Sequence, residues 1–154
     1  MTKQFISKIC KIGTLISMYG LILSVVIQIF ARIFLAHAPA WTEEASRMFF
    51  IYAIAFAAGP AFESKYYIGV QWLFDKFSIR VQKIIDRITM TILCVFFLIM
   101  TWYAFEFTLM GYQEKSPGMK IRMAFVFFSM VILSGSLAFY IGVYLKENKL
   151  NREL

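Results

Sequence analysis

One histidine, two cysteines and nine acidic residues among 154 leave little from which to build a metal centre or a redox pair. A zinc site takes three or four His, Cys or carboxylate ligands, and His37 stands alone in a short loop beside Pro39. Cys10 and Cys94 are far apart and form no C-x-x-C pair, so they read as small packing residues rather than a thiol-disulfide centre. No nucleophile-base constellation and no phosphate-cradling glycine loop is present. The expectation is therefore no cofactor, no metal and no enzyme. Low-complexity tracts, linkers and clear internal repeats are also missing, which leaves one domain over 1–154.

What abounds is apolar surface. The chain is 60% hydrophobic with a mean hydropathy of +0.69, above the ~45–50% of soluble domains. Four uncharged runs organise it: Ile12 to Ala31, Met48 to Phe62, Ile88 to Phe105 and Met123 to Leu145, of 20, 15, 18 and 23 residues. A spanning helix needs about 20 apolar residues, with a range of roughly 17–25. The second run is short unless its helix begins earlier, in "WTEEASRMFF". From Trp41 to Phe62 there are 22 residues, about 33 Å of helix, enough to cross. The reading is an all-α integral membrane protein with four spans, approximately 12–34, 41–62, 88–112 and 122–145.

That places a charged motif in the first turns of a spanning helix. Pro39 fits a start nearby, and Thr42 is expected as the N-cap, with Glu43 and Glu44 at the positive end of the helix dipole. Glu43 lies four residues before Arg47 and Glu44 three, so either carboxylate can pair with the guanidinium. Trp41 marks the interface, where an amphipathic ring is favoured. One acid would serve the dipole, so Trp41, Glu43, Glu44 and Arg47 are read together as a candidate partner-docking patch. The alternative is helix capping with an internal ion pair.

Charge fixes the orientation. Four spans put the termini and the central loop on one side with eleven lysines and arginines, against five on the other, which predicts cytoplasmic termini. The net charge of +7 is then mostly a topology signal, and with no soluble basic domain it does not point to nucleic acid. The first helix is expected to be retained: its run exceeds the ~7–15 residues of a signal core, and Arg32 intervenes before Ala36-His37-Ala38.

Between spans two and three, Val70, Leu73, Phe74, Phe77, Val81, Ile84, Ile85 and Ile88 recur at three- and four-residue steps among charged residues. The first half predicts a short interfacial amphipathic helix over about 68–78, with Ser78 as a boundary to the third helix. Glu106, after the third uncharged run, is expected near the outer boundary, facing protein, water or a cation such as Arg122. Small-residue stripes predict helix packing: Ala53, Ala57 and Ala61 on the second helix, Ser134, Ala138 and Gly142 on the fourth, and Gly13 with Ser17 and Gly20 with Ser24 on the first.

"PAWTEEASRMFFIYAIAFAAGPAF", after a first helix ending in "RIFL", resembles the signature of the small four-helix membrane subunit of tripartite ATP-independent periplasmic (TRAP) transporters. Arg32, Pro39, Trp41, Glu43, Glu44 and Arg47 carry the resemblance, and the chain departs from the family pattern at Ala57 and Tyr67-Ile68. The resemblance implies a bacterial inner-membrane complex with a periplasmic substrate-binding protein and a large elevator-type permease subunit. On this resemblance the complex is expected to import organic acids with a sodium gradient, with the substrate and sodium sites on the large subunit. The small subunit would brace the static scaffold. Two other readings are a free-standing four-helix membrane interaction or assembly protein and a small membrane enzyme.

Overall fold

A computed structural model describes residues 2–34, 39–63 and 78–150. They form four helices: α1 (Thr2–Phe34), α2 (Ala40–Glu63), α3 (Ile79–Met110) and α4 (Met123–Leu150). Each is long and apolar enough to cross a membrane. Two run well past their uncharged cores. α1 begins at Thr2, so Lys3, Lys8 and Lys11 ride on its opening turns. α3 begins at Ile79, after an extended Ser78 (φ −62°, ψ 150°), and carries Arg80, Lys83, Asp86 and Arg87 before reaching Ile88. The second half of the amphipathic stretch is thus an extension of α3. The expected interfacial helix over 68–78 falls almost wholly on residues outside those described.

At its far end α3 stops at Met110, two residues short of the expected span. The Gly111 N–H still donates to the Phe107 carbonyl at 3.1 Å, but the Phe127 ring crowds this turn. A Cβ on Gly111 would lie 2.5 Å from Phe127 Cδ2. The chain turns there and re-enters the helical path at Met123.

The helices pack as a row in the order α1, α2, α4, α3, with close backbone contact between successive members. α2 and α4 are the inner pair and α1 and α3 the edges. Burial follows this order: 33% of the most apolar stretch of α4 is buried, against 6% of that of α3. An inner helix must offer a packing surface to two neighbours, and an edge helix to one. The remaining edge surface is apolar because its surroundings would be lipid tails rather than water.

Backbones approach through small residues. On α1 the buried positions Cys10, Ser17, Ser24 and Ala31 recur every seven residues, interleaved with Gly13 and Gly20. The rings of Phe56 and Phe49 lie against these glycines, so that an added Cβ would sit 2.7 Å from either ring. This is a knobs-into-holes seam with glycines as holes and α2 phenylalanines as knobs. Thr14 and Ser24 return their hydroxyls to the carbonyls of Cys10 and Leu21 at 2.8 and 2.9 Å, which satisfies them inside the seam. Between α2 and α4, Gly59 faces Tyr140 and Ser136, Ala55 is fully buried, and the Tyr52 hydroxyl donates to the Phe125 carbonyl. Between α3 and α4, the Phe107 and Phe127 rings meet at 4.2 Å, and the Tyr144 hydroxyl donates to Asp86 at 3.0 Å.

Of the expected packing stripes, Ala53, Ser134 and Ala138 are buried. Ala57, Ala61 and Gly142 are half-buried, and a Cβ on Gly142 would meet no described atom within 4 Å. α2 buries Ala45, Ala53, Ala55 and Gly59 instead of a single four-residue stripe, because it serves two neighbours.

Candidate docking site at the motif end

The α1–α2 and α3–α4 connections share one end of the row. The opposite end holds both helical termini, where Lys3 Nζ lies 3.1 Å from Glu63 and 3.2 Å from Glu147, joining α1 to α2 and α4.

At the motif end, α2 begins at Ala40 directly after Pro39, whose fixed φ suits a helix entry. Thr42 is consequently inside the first turn and is not the N-cap. Its hydroxyl and its N–H both donate to the Pro39 carbonyl, at 2.7 and 3.1 Å, and its side chain is fully buried. The turn is thereby closed on itself, and the three following charges are aimed by it.

They separate. Glu43 Oε1 accepts from Arg47 Nη2 at 3.2 Å, an i,i+4 pair with both side chains more than 60% exposed. Glu44 takes no part in that pair. Its carboxylate reaches the α3–α4 loop, where it accepts hydrogen bonds from the Ser116 hydroxyl and from the N–H groups of Gly118 and Met119, both at 2.8 Å. Both oxygens are thus occupied by donors more than seventy residues away in the chain. Glu43 is the acid hydrogen-bonded to Arg47, because three donors from the loop already occupy both Glu44 oxygens; the guanidinium still acts on Glu44 through its charge.

The loop is shaped to present those donors. Lys115 and Arg122 form an isolated antiparallel bridge, Ser116 N–H donates to Ile121 O at 2.8 Å, and Lys120 N–H donates to Ser116 O at 3.0 Å. Lys120 takes a left-handed conformation (φ 58°), which closes the turn. Gly118 lies directly under the carboxylate. A Cβ there would fall 2.9 Å from Glu44 Cδ and 3.0 Å from the Ala40 carbonyl oxygen. Ser116 is buried although it sits in a loop between two spans. α2 has no extensive contact with α3, so this clamp fastens the start of α2 to the α3–α4 hairpin beyond the α2–α4 seam.

What stays on the surface is Trp41, 43% exposed, with the Glu43–Arg47 pair beside it. Arg47 also borders a cavity of 170 Å³ whose walls include Met48, Pro117, Met119 and Met123. Arg122, the cation named among the alternatives for Glu106, stacks its guanidinium over the Tyr112 ring at 3.7 Å from the ring centre. Glu106 accepts from the Trp102 indole N–H at 3.2 Å. Sequence reasoning missed Ser116, Gly118 and Met119. Their signal was the Pro117-Gly118 turn, which marks a loop but does not show that a carboxylate on another helix fills it. Among the described residues, no three His, Cys, Asp or Glu side chains are grouped to hold a metal ion.

Residues 21–148 match the model of the family described as tripartite ATP-independent periplasmic transporters, DctQ component. No individual curated protein matches the sequence. The match takes in the end of α1, the whole charged motif, the clamped loop and nearly all of α4. It describes a multi-pass membrane component of a transporter, not an enzyme family. The matched stretch covers well over half of the chain, which therefore belongs to the DctQ family, the small membrane component of TRAP transporters.

Proposed function

We propose that this chain is the bracing subunit of a sodium-driven, binding-protein-dependent TRAP transporter that imports organic acids across the bacterial inner membrane. Its termini lie in the cytoplasm, its motif end faces the periplasm, and its partners are the large permease subunit, the periplasmic binding protein and the bilayer. The eleven-to-five division of basic residues supports that orientation.

The observation that carries the proposal is the division of labour within the motif. Glu44 is consumed by an internal clamp, which stiffens the periplasmic end, while Trp41 and the Glu43–Arg47 pair remain on its surface. An exposed i,i+4 pair contributes only ~0.3–0.5 kcal/mol to its own helix. Covered by a partner and matched in charge, the same groups fix register and docking far more strongly. A rigid row with a wide, thin profile and a charged docking edge suits a static support for a moving permease subunit.

The test pairs copurification with transport. Glu43→Gln and Arg47→Gln should leave membrane abundance unchanged while lowering copurification of the permease subunit, and sodium-dependent uptake of an organic acid, by about tenfold. Wild-type copurification and uptake in both variants would remove the docking role of the pair. Uptake that ignores the sodium gradient in wild type would remove the coupling assignment.

A further inference from the structure

Glu106 is the one charged residue between Ile88 and Met110 of α3. It lies four residues inside the end of the helix, about 6 Å along its axis, and it is exposed. Its Oε1 accepts from the Trp102 indole; its Oε2 has no donor among the described residues. A carboxylate can accept about four hydrogen bonds, so most of this one's capacity is unused. A carboxyl group left so within a spanning helix is costly and calls for a cation or water.

The carboxylate borders a groove of 510 Å³ between α3 and α4. Its floor is made by the buried small residues Ala104 and Ser134. Its walls are Tyr103 and Phe107 of α3 and Met130 of α4, all large and all exposed. A floor of small residues flanked by flexible or aromatic walls receives a helix backbone closely, as small-residue seams do elsewhere in this chain. The groove lies at the α3 edge of the row, with no further helix beyond it among the described residues.

We propose that this groove seats a transmembrane helix of the large permease subunit, and that Glu106 pairs with a lysine or arginine carried near the periplasmic end of that helix. The proposal rests on the functional reading above, since it names the partner that reading supplies. Charge selects the occupant. Lipid tails would fill the apolar walls but offer Oε2 no cation. A second copy docking symmetrically by the same groove would bring two Glu106 carboxylates together, which like-charge repulsion opposes. A basic side chain on a spanning helix has the same problem as Glu106 with the opposite sign, and their union resolves both.

The experiment uses the intact complex in native membranes. A photoreactive benzoylphenylalanine replaces Tyr103 or Met130, with Ile22 on the opposite edge as control, and adducts are mapped by mass spectrometry. Glu106→Gln and Glu106→Lys are assayed in parallel for membrane abundance and permease copurification. The expected result is an adduct from positions 103 and 130, but not 22, on a permease segment that contains a lysine or arginine. Copurification should fall a few-fold in Glu106→Gln and at least tenfold in Glu106→Lys, at normal abundance. Adducts only with lipid or with a second copy, while wild-type chain still brings down the permease, overturn the groove assignment and leave the bracing function standing. A wild-type chain that brings down no permease overturns both. Unchanged copurification in Glu106→Lys overturns the ion pair.

Discussion

The two ends of the helix row are fastened by opposite chemistries. At the motif end one carboxylate, Glu44, takes a hydroxyl and two backbone N–H groups from a loop that is itself internally bonded. At the terminal end one ammonium, Lys3, touches two carboxylates that are each more than 40% exposed. The first arrangement depends on shape: the N–H groups have fixed directions, and Gly118 leaves room for nothing but the carboxylate. The second depends on charge, and long side chains in water re-form such pairs in many geometries. The difference teaches that the motif end is held in one conformation while the terminal end is merely attracted together. The docking surface proposed for the motif end would sit on that better-defined end.

The sharpest way to break that comparison is to fill the space under the clamp. Gly118→Val would drive a side chain into Glu44 Cδ and the Ala40 carbonyl, an over-packing whose cost is about 1–3 kcal/mol. The loop should detach, and tryptic cleavage after Lys115 and Lys120 in detergent-solubilised protein should accelerate by roughly a hundredfold if the full range of that cost is realised. Cleavage at the wild-type rate would mean that the loop holds its shape without the contact.

Glu44→Ala comes next. It leaves the loop free of steric conflict but removes the acceptor for three donors, and the same cleavage should rise on the order of tenfold. Glu44→Gln keeps one acceptor oxygen and should fall between Glu44→Ala and wild type. Ser116→Ala removes one donor and preserves both N–H contacts, so its effect should be a few-fold at most. If Glu44→Gln and Ser116→Ala both match Glu44→Ala, the clamp works as a single switch rather than as separable bonds.

Much of this architecture was legible in the residues. The uncharged runs located four helices because a membrane span must be both long and apolar, and the charged motif located the start of α2. The division between Glu43 and Glu44 was not legible, because both lie within reach of Arg47. What decides it is a loop 72 residues further on. The row order was equally hidden: in lipid an exposed face is as apolar as a packed one, so periodicity does not say which helix has two neighbours. The α1 seam was within reach, since Cys10, Ser17, Ser24 and Ala31 are spaced at sevens with glycines between. Pairing Gly13 with Ser17 and Gly20 with Ser24 found parts of that repeat but not its length. On α2, following Ala53, Ala57 and Ala61 at fours passed over the buried Ala55 and Gly59, of which Gly59 meets Tyr140 and Ser136 of α4.

The smallest expected effect is at the terminal end, and it sharpens the comparison most cleanly because it changes charge alone. Lys3→Met keeps a side chain of similar length and removes both ion pairs with Glu63 and Glu147. Exposed pairs contribute ~0–1 kcal/mol, and a protein of this size loses about 2–4 °C of Tm per kcal/mol, so the loss should stay under about 4 °C. Salt supplies the diagnostic. At ~1 M the Debye length falls to ~3 Å, and wild type should lose most of its small advantage over Lys3→Met, whereas the cleavage difference between wild type and Glu44→Ala should persist because fixed N–H groups hold that carboxylate. Tryptic cleavage at Lys115 and Lys120 should be unaffected by Lys3→Met at any salt concentration. If Lys3→Met instead loosens the protein as much as Glu44→Ala, and does so equally in high salt, then the terminal end is shape-defined too, and the case for docking at the motif end rests on Trp41, Glu43 and Arg47 alone.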